Sequence, residues 1–315
     1  MQKLLFFSLL LIVVLTTGNV NGQTIIVVSD DAGVGQAYAD ELSATGYVVE
    51  VKTDLNVEPS QSQMDELDAA DLIVILRNTN SAEYNYPDSW NYIDTPILMA
   101  SCFLTRSSRF AWLNTTEVNE ADGVDISIVD DAHPIFEGMD LSAGTMAINS
   151  TMPLHTNPID DAGNGSIIAV SATTGNIVIA EWKIDTDFYD GGDYYAAEYR
   201  AVFFTGISYD FTNEGKQLFL NFVNYILTLD EQTSSKKEMK EQITVYPMPA
   251  GNSLNIKGVV ASNSTYEIVS LSGQVLISSQ LTENRQVDIS SLKSGLYVIK
   301  MMSNNQLMSQ KFIKR

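Results

Sequence analysis

The sequence contains little cysteine, histidine and positive charge. Cys102 is its only cysteine, so the chain cannot form an internal disulfide and must be stabilised by packing. Two histidines leave few candidates for a catalytic base or a metal ligand. Lys and Arg number 18 against 39 Asp and Glu, which gives a formal net charge of −21. A chain this acidic is expected to repel nucleic acids and anionic membrane surfaces.

The negative charge is confined to one part of the chain. Residues 23–231 contain 34 acidic and 7 basic side chains, whereas residues 232–315 contain 5 acidic and 10 basic ones. The reversal predicts two parts with different roles. For the acidic part the expected partners are neutral molecules, cations or basic surfaces. The same acidity also suits a surface that only keeps the protein soluble.

The N-terminus has the pattern of a cleaved signal peptide over residues 1–22. Lys3 precedes an almost unbroken apolar run from Leu4 to Leu15, and small residues stand before Gln23. A membrane span needs about 20 apolar residues, so this run is too short for one. No cysteine follows it for a lipid anchor, and no later apolar run is long enough to cross a bilayer. The pattern predicts an exported, soluble protein.

Apolar runs and helical patterns alternate in the first half of the body. The predicted strands are Thr24–Ser29, Tyr47–Val51, Asp71–Leu76 and Pro96–Ala100. Gln36–Ala44 and Ser60–Ala69 carry apolar residues at helical spacing between them, with Ser60 or Ser62 available as a cap. Strands that alternate with helices indicate a parallel sheet with crossover helices. The predicted fold class is α/β.

The second half of the body has a looser pattern. Ile126–Val129 predicts a strand, and Ser166–Val170 with Asn176–Trp182 predicts a hairpin. A buried strand at Ala201–Gly206 and an amphipathic helix at Gly215–Leu227 close the domain.

The body resembles the class I glutamine amidotransferase-like group, particularly its trehalose-utilisation-like branch. The residues that carry the resemblance are the opening strand, the Asp71–Leu76 strand, the His-Pro-Ile-x-x-Gly turn at His133, and the strand from Arg200 with its final helix. The resemblance implies a flavodoxin-like core over residues 23–229. A fold of this kind does not by itself imply an activity.

Cys102 is the position where such a family would place its nucleophile. The family's cysteine lies on a strained turn between a strand and a helix, flanked by glycines, and works with a His-x-Glu pair. Cys102 follows a predicted strand, but its neighbours are Ser101 and Phe103. His133 and His155 both lack a glutamate two positions later. We therefore predict a packed, inert cysteine and a non-catalytic body.

Polar side chains follow three of the predicted strands, at the sheet edge where open α/β sheets usually bind ligands. The candidate ligand-binding residues are Asp30, Asp31, Arg77, Asn78, Arg106 and Arg109. Gly33 and Gly35 resemble the start of a dinucleotide loop, but Tyr38 replaces the third glycine. A tight turn is therefore favoured over a cofactor loop, and a neutral ligand over a dinucleotide.

The densest group of acids is a candidate calcium site. Its members are Asp185, Asp187, Asp190 and Asp193. Calcium favours several oxygen ligands on a flexible, glycine-containing loop, but the EF-hand spacing fails here. The alternative is a solvated acidic loop. Aromatic residues nearby, including Trp182 and Phe188, have side chains that could stack on sugar rings or pack against the sheet. Packing is favoured.

A polar segment over residues 230–242 predicts a linker, and the chain beyond it has an all-β pattern. Short strands separated by turn residues, among them Ser272-Gly273, Glu283-Asn284 and Asn304-Asn305, predict a small immunoglobulin-like sandwich. Residues 243–315 also resemble the C-terminal sorting domain of the type IX (Por) secretion system. The motifs are Val-Tyr-Pro-x-Pro at Val245, the Leu-Ser-Gly turn at Leu271, Asp-Ile-Ser-Ser-Leu-x-Ser-Gly-Leu-Tyr at Asp288 and the basic end at Lys311.

The resemblance of the tail implies export by the type IX machinery, with later removal of the tail and either release or attachment at the outer-membrane surface. The principal hypothesis for the body is a non-catalytic domain that binds a neutral ligand such as carbohydrate. One alternative is a secreted metal-assisted hydrolase that uses acids such as Asp30, Asp31 or Asp187. The other is a scaffold or interaction domain without a small-molecule site.

Overall fold

The computed structural model describes residues 22–237, 243–257, 264–270, 274–282, 285–303 and 306–315. The predicted signal peptide, apart from its last residue, and the end of the predicted linker at residues 238–242 lie outside these ranges. So do three of the predicted turns in the tail, at 272–273, 283–284 and 304–305. The chain divides into two compact units, of which the first ends at Leu227 and the second begins at Thr228.

The first unit is built on one large sheet. Its strands are β1 (Thr24–Val28), β2 (Val48–Lys52), β3 (Leu72–Ile75), β4 (Ile97–Met99), β5 (Asp125–Ile128), β6 (Thr145–Ala147), β7 (Ser166–Ser171), β8 (Ile177–Trp182) and β11 (Arg200–Phe203). A separate two-stranded ribbon pairs β9 (Thr186–Asp187) with β10 (Tyr195–Ala196). The helices are α1 (Ala32–Ala44), α2 (Gln61–Leu67), α3 (Pro87–Trp90), α4 (Cys102–Thr105) and α5 (Asn213–Lys237).

The order of the large sheet is β2-β1-β3-β4-β11-β8-β7-β5-β6. The strands from β2 to β11 are parallel, and those from β11 to β6 pair antiparallel. The α/β class is therefore confirmed, while the predicted parallel sheet covers only about half of the strands. Because β7 and β8 form the predicted hairpin, the chain reverses locally and no crossover helix is needed there.

Burial and capping explain the parallel half. All four residues of β3 are fully buried, as expected for an apolar strand covered on both faces. Helix α1 begins earlier than predicted because the Asp31 carboxylate accepts hydrogen bonds from the amides of Gly33 and Val34, at 2.8 and 3.0 Å. Helix α2 begins at a capping box between Ser60 and Gln63, which confirms the predicted serine cap.

Helix α5 is longer than its apolar pattern. Leu218, Phe222 and Ile226 are buried, as the amphipathic spacing predicts. That spacing stops at Leu227, but the helix continues to Lys237, into the segment predicted as a linker. Apolar periodicity indicates which residues of a helix are buried rather than where the helix ends, so it does not define the C-terminal end of α5.

Arg200, at the start of β11, ties the sheet to the segment before β4. Its guanidinium is fully buried and donates hydrogen bonds to the carbonyl oxygens of Thr95 at 2.8 Å, Ile93 at 2.6 Å and Asn91 at 3.1 Å. Burial lowers the pKa of Arg200 to about 10, which still leaves it charged at neutral pH. Arg200 is thus a structural residue of the body.

Large aromatic rings fill the space beside β8. Trp112 and Phe188 stack with ring centroids 5.3 Å apart, and Trp182 lies 5.6 Å from Phe188. All three side chains are fully buried. Trp182 and Phe188 therefore pack in the interior, as favoured from the sequence.

The second unit is all-β. Its strands are β12 (Thr244–Tyr246), β13 (Ser253–Lys257), β14 (Thr265–Ser270), β15 (Val275–Gln280), β16 (Gln286–Asp288), β17 (Gly295–Ser303) and β18 (Gln306–Lys314). They form one sheet in the order β12-β13-β16 and another in the order β15-β14-β17-β18. Leu254, Ile268, Val287, Ile299 and Phe312 belong to one buried cluster that both sheets share. This is the sandwich architecture predicted for the tail.

Candidate functional site

The carboxyl ends of β1, β3 and β4 meet at one edge of the body's sheet, because these strands are parallel neighbours. All six predicted ligand-binding residues follow these three strands. Asp30 and Asp31 come after β1, Arg77 and Asn78 after β3, and Arg106 and Arg109 after the short helix that follows β4.

The two aspartates at this edge hold neighbouring loops. The Asp30 carboxylate accepts hydrogen bonds from the Asn80 amide at 2.6 Å and the Tyr84 hydroxyl at 2.9 Å. The Asp31 carboxylate caps α1. Both acids are therefore already engaged in shaping the edge, which leaves them poorly suited to lead a metal-assisted hydrolysis.

Arg77 is the centre of a cluster of polar and aromatic side chains at this edge. Its Nε donates to Nδ1 of His155 at 2.7 Å, and its Nη2 lies 3.2 Å from a carboxylate oxygen of Glu120. The guanidinium carbon also lies 4.1 Å from the centroid of the Phe103 ring, in a cation–π contact. These partners come from distant parts of the chain, and no pattern in the sequence connects them with Arg77.

The chemistry around Cys102 is that of a buried thiol. Burial raises the pKa of Cys102 to about 12, although the charge of Arg77 acts in the opposite direction. The thiol is therefore protonated at neutral pH and is a poor nucleophile. Because Nδ1 of His155 accepts a hydrogen bond from Arg77, the neutral ring carries its proton on Nε2. Burial and the charge of Arg77 also lower the pKa of His155. This is not the arrangement of an activated cysteine–histidine pair.

Arg106 and Arg109 extend the cluster along the edge. Arg106 donates to the Phe103 carbonyl oxygen at 3.0 Å and to the Ser81 hydroxyl at 3.1 Å. The guanidinium carbon of Arg106 lies 5.5 Å from the Phe103 centroid, so the ring contacts two arginines. Burial and then the charge of Arg109 lower the pKa of Arg106, which indicates that the two guanidinium groups are close enough to repel each other.

Three buried polar atoms around this edge lack a hydrogen-bond partner within the described part of the chain. They are Nδ2 of Asn78, Oγ of Ser101 and Nε of Arg109. A buried polar group without a partner costs about 1–3 kcal/mol. Ser101 is fully buried next to Cys102, and Asn78 accepts a bond from Ser29 at 3.1 Å while its own amide nitrogen donates none. All three residues lie in segments that follow β3 and β4, and each of these atoms could donate to an acceptor that reached it.

The four aspartates of the predicted calcium site lie in and around the β9–β10 ribbon, away from the carboxyl edge of the large sheet. Asp187 lies in the β9–β10 ribbon, and Asp190 accepts a hydrogen bond from Asn164 at 3.3 Å. Within the ranges that the structure describes, no three acidic, histidine or cysteine side chains form a group that could hold a metal ion. The calcium site remains a prediction from the sequence.

A polar cavity of about 460 Å³ lies beside Asp190. It is lined by Asn114, Ile159, Asp161, Gly163, Asn164, Tyr189 and Asp190. Of the aromatic residues considered for sugar stacking, Tyr189 therefore has a half-buried ring at a cavity wall rather than in the interior.

Comparison with known proteins identifies the tail. Residues 244–315 match the family described as "Secretion system C-terminal sorting domain". The tail is a type IX sorting domain. The sorting domain makes this chain an exported cargo that interacts with the type IX secretion machinery. No helix of the described residues has the length and apolar character required to cross a membrane.

One solved structure shows a distant likeness to this chain. The structure of PurLQS from Thermotoga maritima aligns with 65% of this chain and 99% of its own, at 11% identity and a TM-score of 0.35. No curated protein matches the chain.

Proposed function

We propose that the exported body, residues 23–229, is a non-catalytic amidotransferase-like domain that binds a carbohydrate at the carboxyl edge of its sheet. The observation that carries the proposal is the group of unpartnered buried atoms, Asn78 Nδ2, Ser101 Oγ and Arg109 Nε. Sugar hydroxyl oxygens are acceptors that would satisfy these groups. The location agrees with the usual binding edge of open α/β sheets.

The burial and protonation of Cys102 support ligand binding rather than acyl transfer by this thiol. Cys102 is buried and protonated, and His155 offers a proton rather than a lone pair on its free nitrogen. A hydrolase reaction would instead need carboxylates free to act on a water molecule. Asp30 and Asp31 are the acids at this edge that the sequence favoured, and both are engaged with the protein.

We also propose that the sorting domain is removed after export, and that the body is then released or attached at the outer-membrane surface. The match of residues 244–315 to the sorting family supports this order of events.

Ser101→Ala tests the binding site, measured on the chain from Gln23 to Arg315 against an array of glycans. The hydroxyl of Ser101 has no partner in the described protein, so its removal should leave the melting temperature unchanged or raised. If a ligand accepts a bond from it, affinity should fall about tenfold, which corresponds to about 1.4 kcal/mol.

Ser171→Ala is the matched control. Ser171 is equally buried, but its hydroxyl donates to Asp122 at 2.8 Å, so this variant should lose stability and keep its glycan affinity. The proposal is wrong if the wild-type protein retains no glycan, or if Ser101→Ala binds as tightly as the wild type. Cleavage of a bound glycan would favour the hydrolase alternative.

A further inference from the structure

Arginines are concentrated at the carboxyl edge of the sheet, although acidic residues lie beside them. Residues 23–231 contain only seven basic side chains, and Arg77, Arg106 and Arg109 are three of them. The overall acidity predicts a neutral ligand, but a ligand responds to the charges that it contacts. We propose that the carbohydrate bound at this edge is an acidic one, a uronic-acid-type saccharide whose carboxylate binds Arg106 and Arg109. This inference rests on the proposed function.

The inference rests on which of the three arginines form ion pairs with carboxylates. Arg77 forms an ion pair with Glu120, at 3.2 Å. Within the described residues, neither Arg106 nor Arg109 forms an ion pair, although Glu117 attracts Arg106 from a longer distance. Two neighbouring guanidinium groups without a carboxylate repel each other, and a bound anion would remove that repulsion.

The donors of these two side chains suit a carboxylate. Three contacts hold the Arg106 guanidinium in place, to the carbonyl oxygens of Phe103 and Thr116 and to the hydroxyl of Ser81. Arg109 donates from Nη1 to the Ser108 carbonyl oxygen, while its Nε is buried without a partner. A guanidinium presents Nε and Nη donors as a fork that matches the two oxygens of a carboxylate.

The acids around the arginines limit the charge of the ligand. Glu117 and Glu120 lie on the same side of the edge as Arg106 and Arg77, and Asp30 and Asp31 follow the neighbouring strand β1. A polyphosphate would be repelled by these carboxylates and by the remaining charge of the body. One carboxylate on an otherwise neutral sugar fits the charge balance, and its hydroxyls can accept from Asn78 and Ser101.

Two saccharides that differ only in charge test this inference. We would measure binding of a galacturonate trisaccharide and of the corresponding galactose trisaccharide to the chain from Gln23 to Arg315. The galacturonate compound should bind at least about tenfold more tightly, because its carboxylate adds a charge-assisted contact with the arginines. Its affinity should fall as salt is added, whereas that of the neutral compound should not.

Arg109→Gln should remove this preference, because it lowers the affinity for the galacturonate trisaccharide by more than the affinity for the neutral one. Lys183→Gln is the matched control, because it removes one positive charge from an exposed residue beyond the end of β8. Melting temperatures of both variants show whether they are folded. Equal affinity of the wild type for the two sugars, or an unchanged preference in Arg109→Gln, would overturn the acidic-sugar inference alone. If neither trisaccharide binds and the glycan array is also negative, the proposed function fails with it.

Discussion

Cys102 and His155 both lie around Arg77, and burial determines how each of them ionises. Burial raises the pKa of the thiol and lowers that of the imidazole, so both groups are neutral at physiological pH. A protonated thiol is a poor nucleophile, and Nδ1 of His155, the ring nitrogen that could accept its proton, already accepts a hydrogen bond from Arg77. The same two residue types that suggest an amidotransferase in the sequence therefore form a packed corner in the folded body.

His155 should make the stability of the body depend on pH. Its folded-state pKa lies below the ordinary value of 6.5, because burial and the charge of Arg77 disfavour the protonated ring. As the pH falls through 6.5, the unfolded chain binds a proton that the native protein does not, so the free energy of unfolding decreases. His155→Asn keeps an acceptor for Arg77 but cannot titrate. It should cost about 1 kcal/mol at neutral pH and lose less stability on acidification.

Urea unfolding of the wild type and His155→Asn, followed from neutral pH to below 6.5, measures this effect. His133 is present in both proteins, so its contribution cancels in the difference between the two curves. Parallel curves for the two proteins would show that His155 does not couple folding to pH.

At the scale of elements, apolar patterning predicted those strands and helices that bury a continuous surface. The strands β1, β3 and β4, the β7–β8 hairpin and the buried turns of α5 appear where the sequence indicates them. Two kinds of element were missed. The helices α3 and α4 have four residues each, too few for a helical period to be visible. The strands β6, β9 and β10 have two or three residues, and pairing with a neighbour rather than their own pattern makes them strands.

The candidate site could be predicted only in part, because some of its residues follow recognisable strands and others lie in loops without a sequence pattern. Arg77 and Asn78 follow a recognisable strand, so their place at the sheet edge follows from the parallel topology. His155 and Glu120 come from the loops around an isolated bridge between Asn119 and Thr156, which has no sequence pattern. Only the folded chain shows that these loops bring a histidine and an acid onto Arg77.

The first turn of α5 packs unusually close to its neighbour, which gives Gly215 a specific role. A Cβ at this position would lie 1.9 Å from the Ile148 carbonyl oxygen, a backbone atom that cannot move aside alone. In an ordinary helix, replacing glycine by alanine stabilises by about 1 kcal/mol. Here Gly215→Ala should instead destabilise the body by about 1–3 kcal/mol, because overpacking outweighs helix propensity.

The free energy of unfolding from urea titration measures this change. Gln217→Ala is the control on the same helix: its side chain is exposed, so its effect should stay within about 0.5 kcal/mol. If Gly215→Ala is as stable as the wild type or more so, the close approach of α5 to Ile148 is wrong.

At the scale of the whole molecule, the chain consists of two units: the body, and the tail that directs export. The large sheet, helices α1 to α4 and the cluster around Arg77 all lie before Thr228, and only the end of α5 continues past it. The tail has an apolar core of its own. The charge reverses between the two parts, from 34 acidic and 7 basic side chains in residues 23–231 to 5 and 10 in residues 232–315. The match of the tail to a sorting family assigns recognition by the secretion machinery to the tail, and the ligand binding that we propose is a property of the body.

Deletion of residues 244–315 tests this division in the native host. The deleted segment is the sorting domain, so the truncated chain should lose its passage across the outer membrane and accumulate in the periplasm, delivered there by the predicted signal peptide. Because the core of the body is contained in the first unit, the truncated protein should remain folded and resistant to proteolysis. Immunoblots of periplasm, membranes and medium measure the distribution.

Arg109→Gln, which alters the body and leaves the tail intact, should be exported like the wild type. Normal export of the truncated chain would contradict the role of the tail, whereas degradation of a correctly retained chain would contradict only the independence of the body.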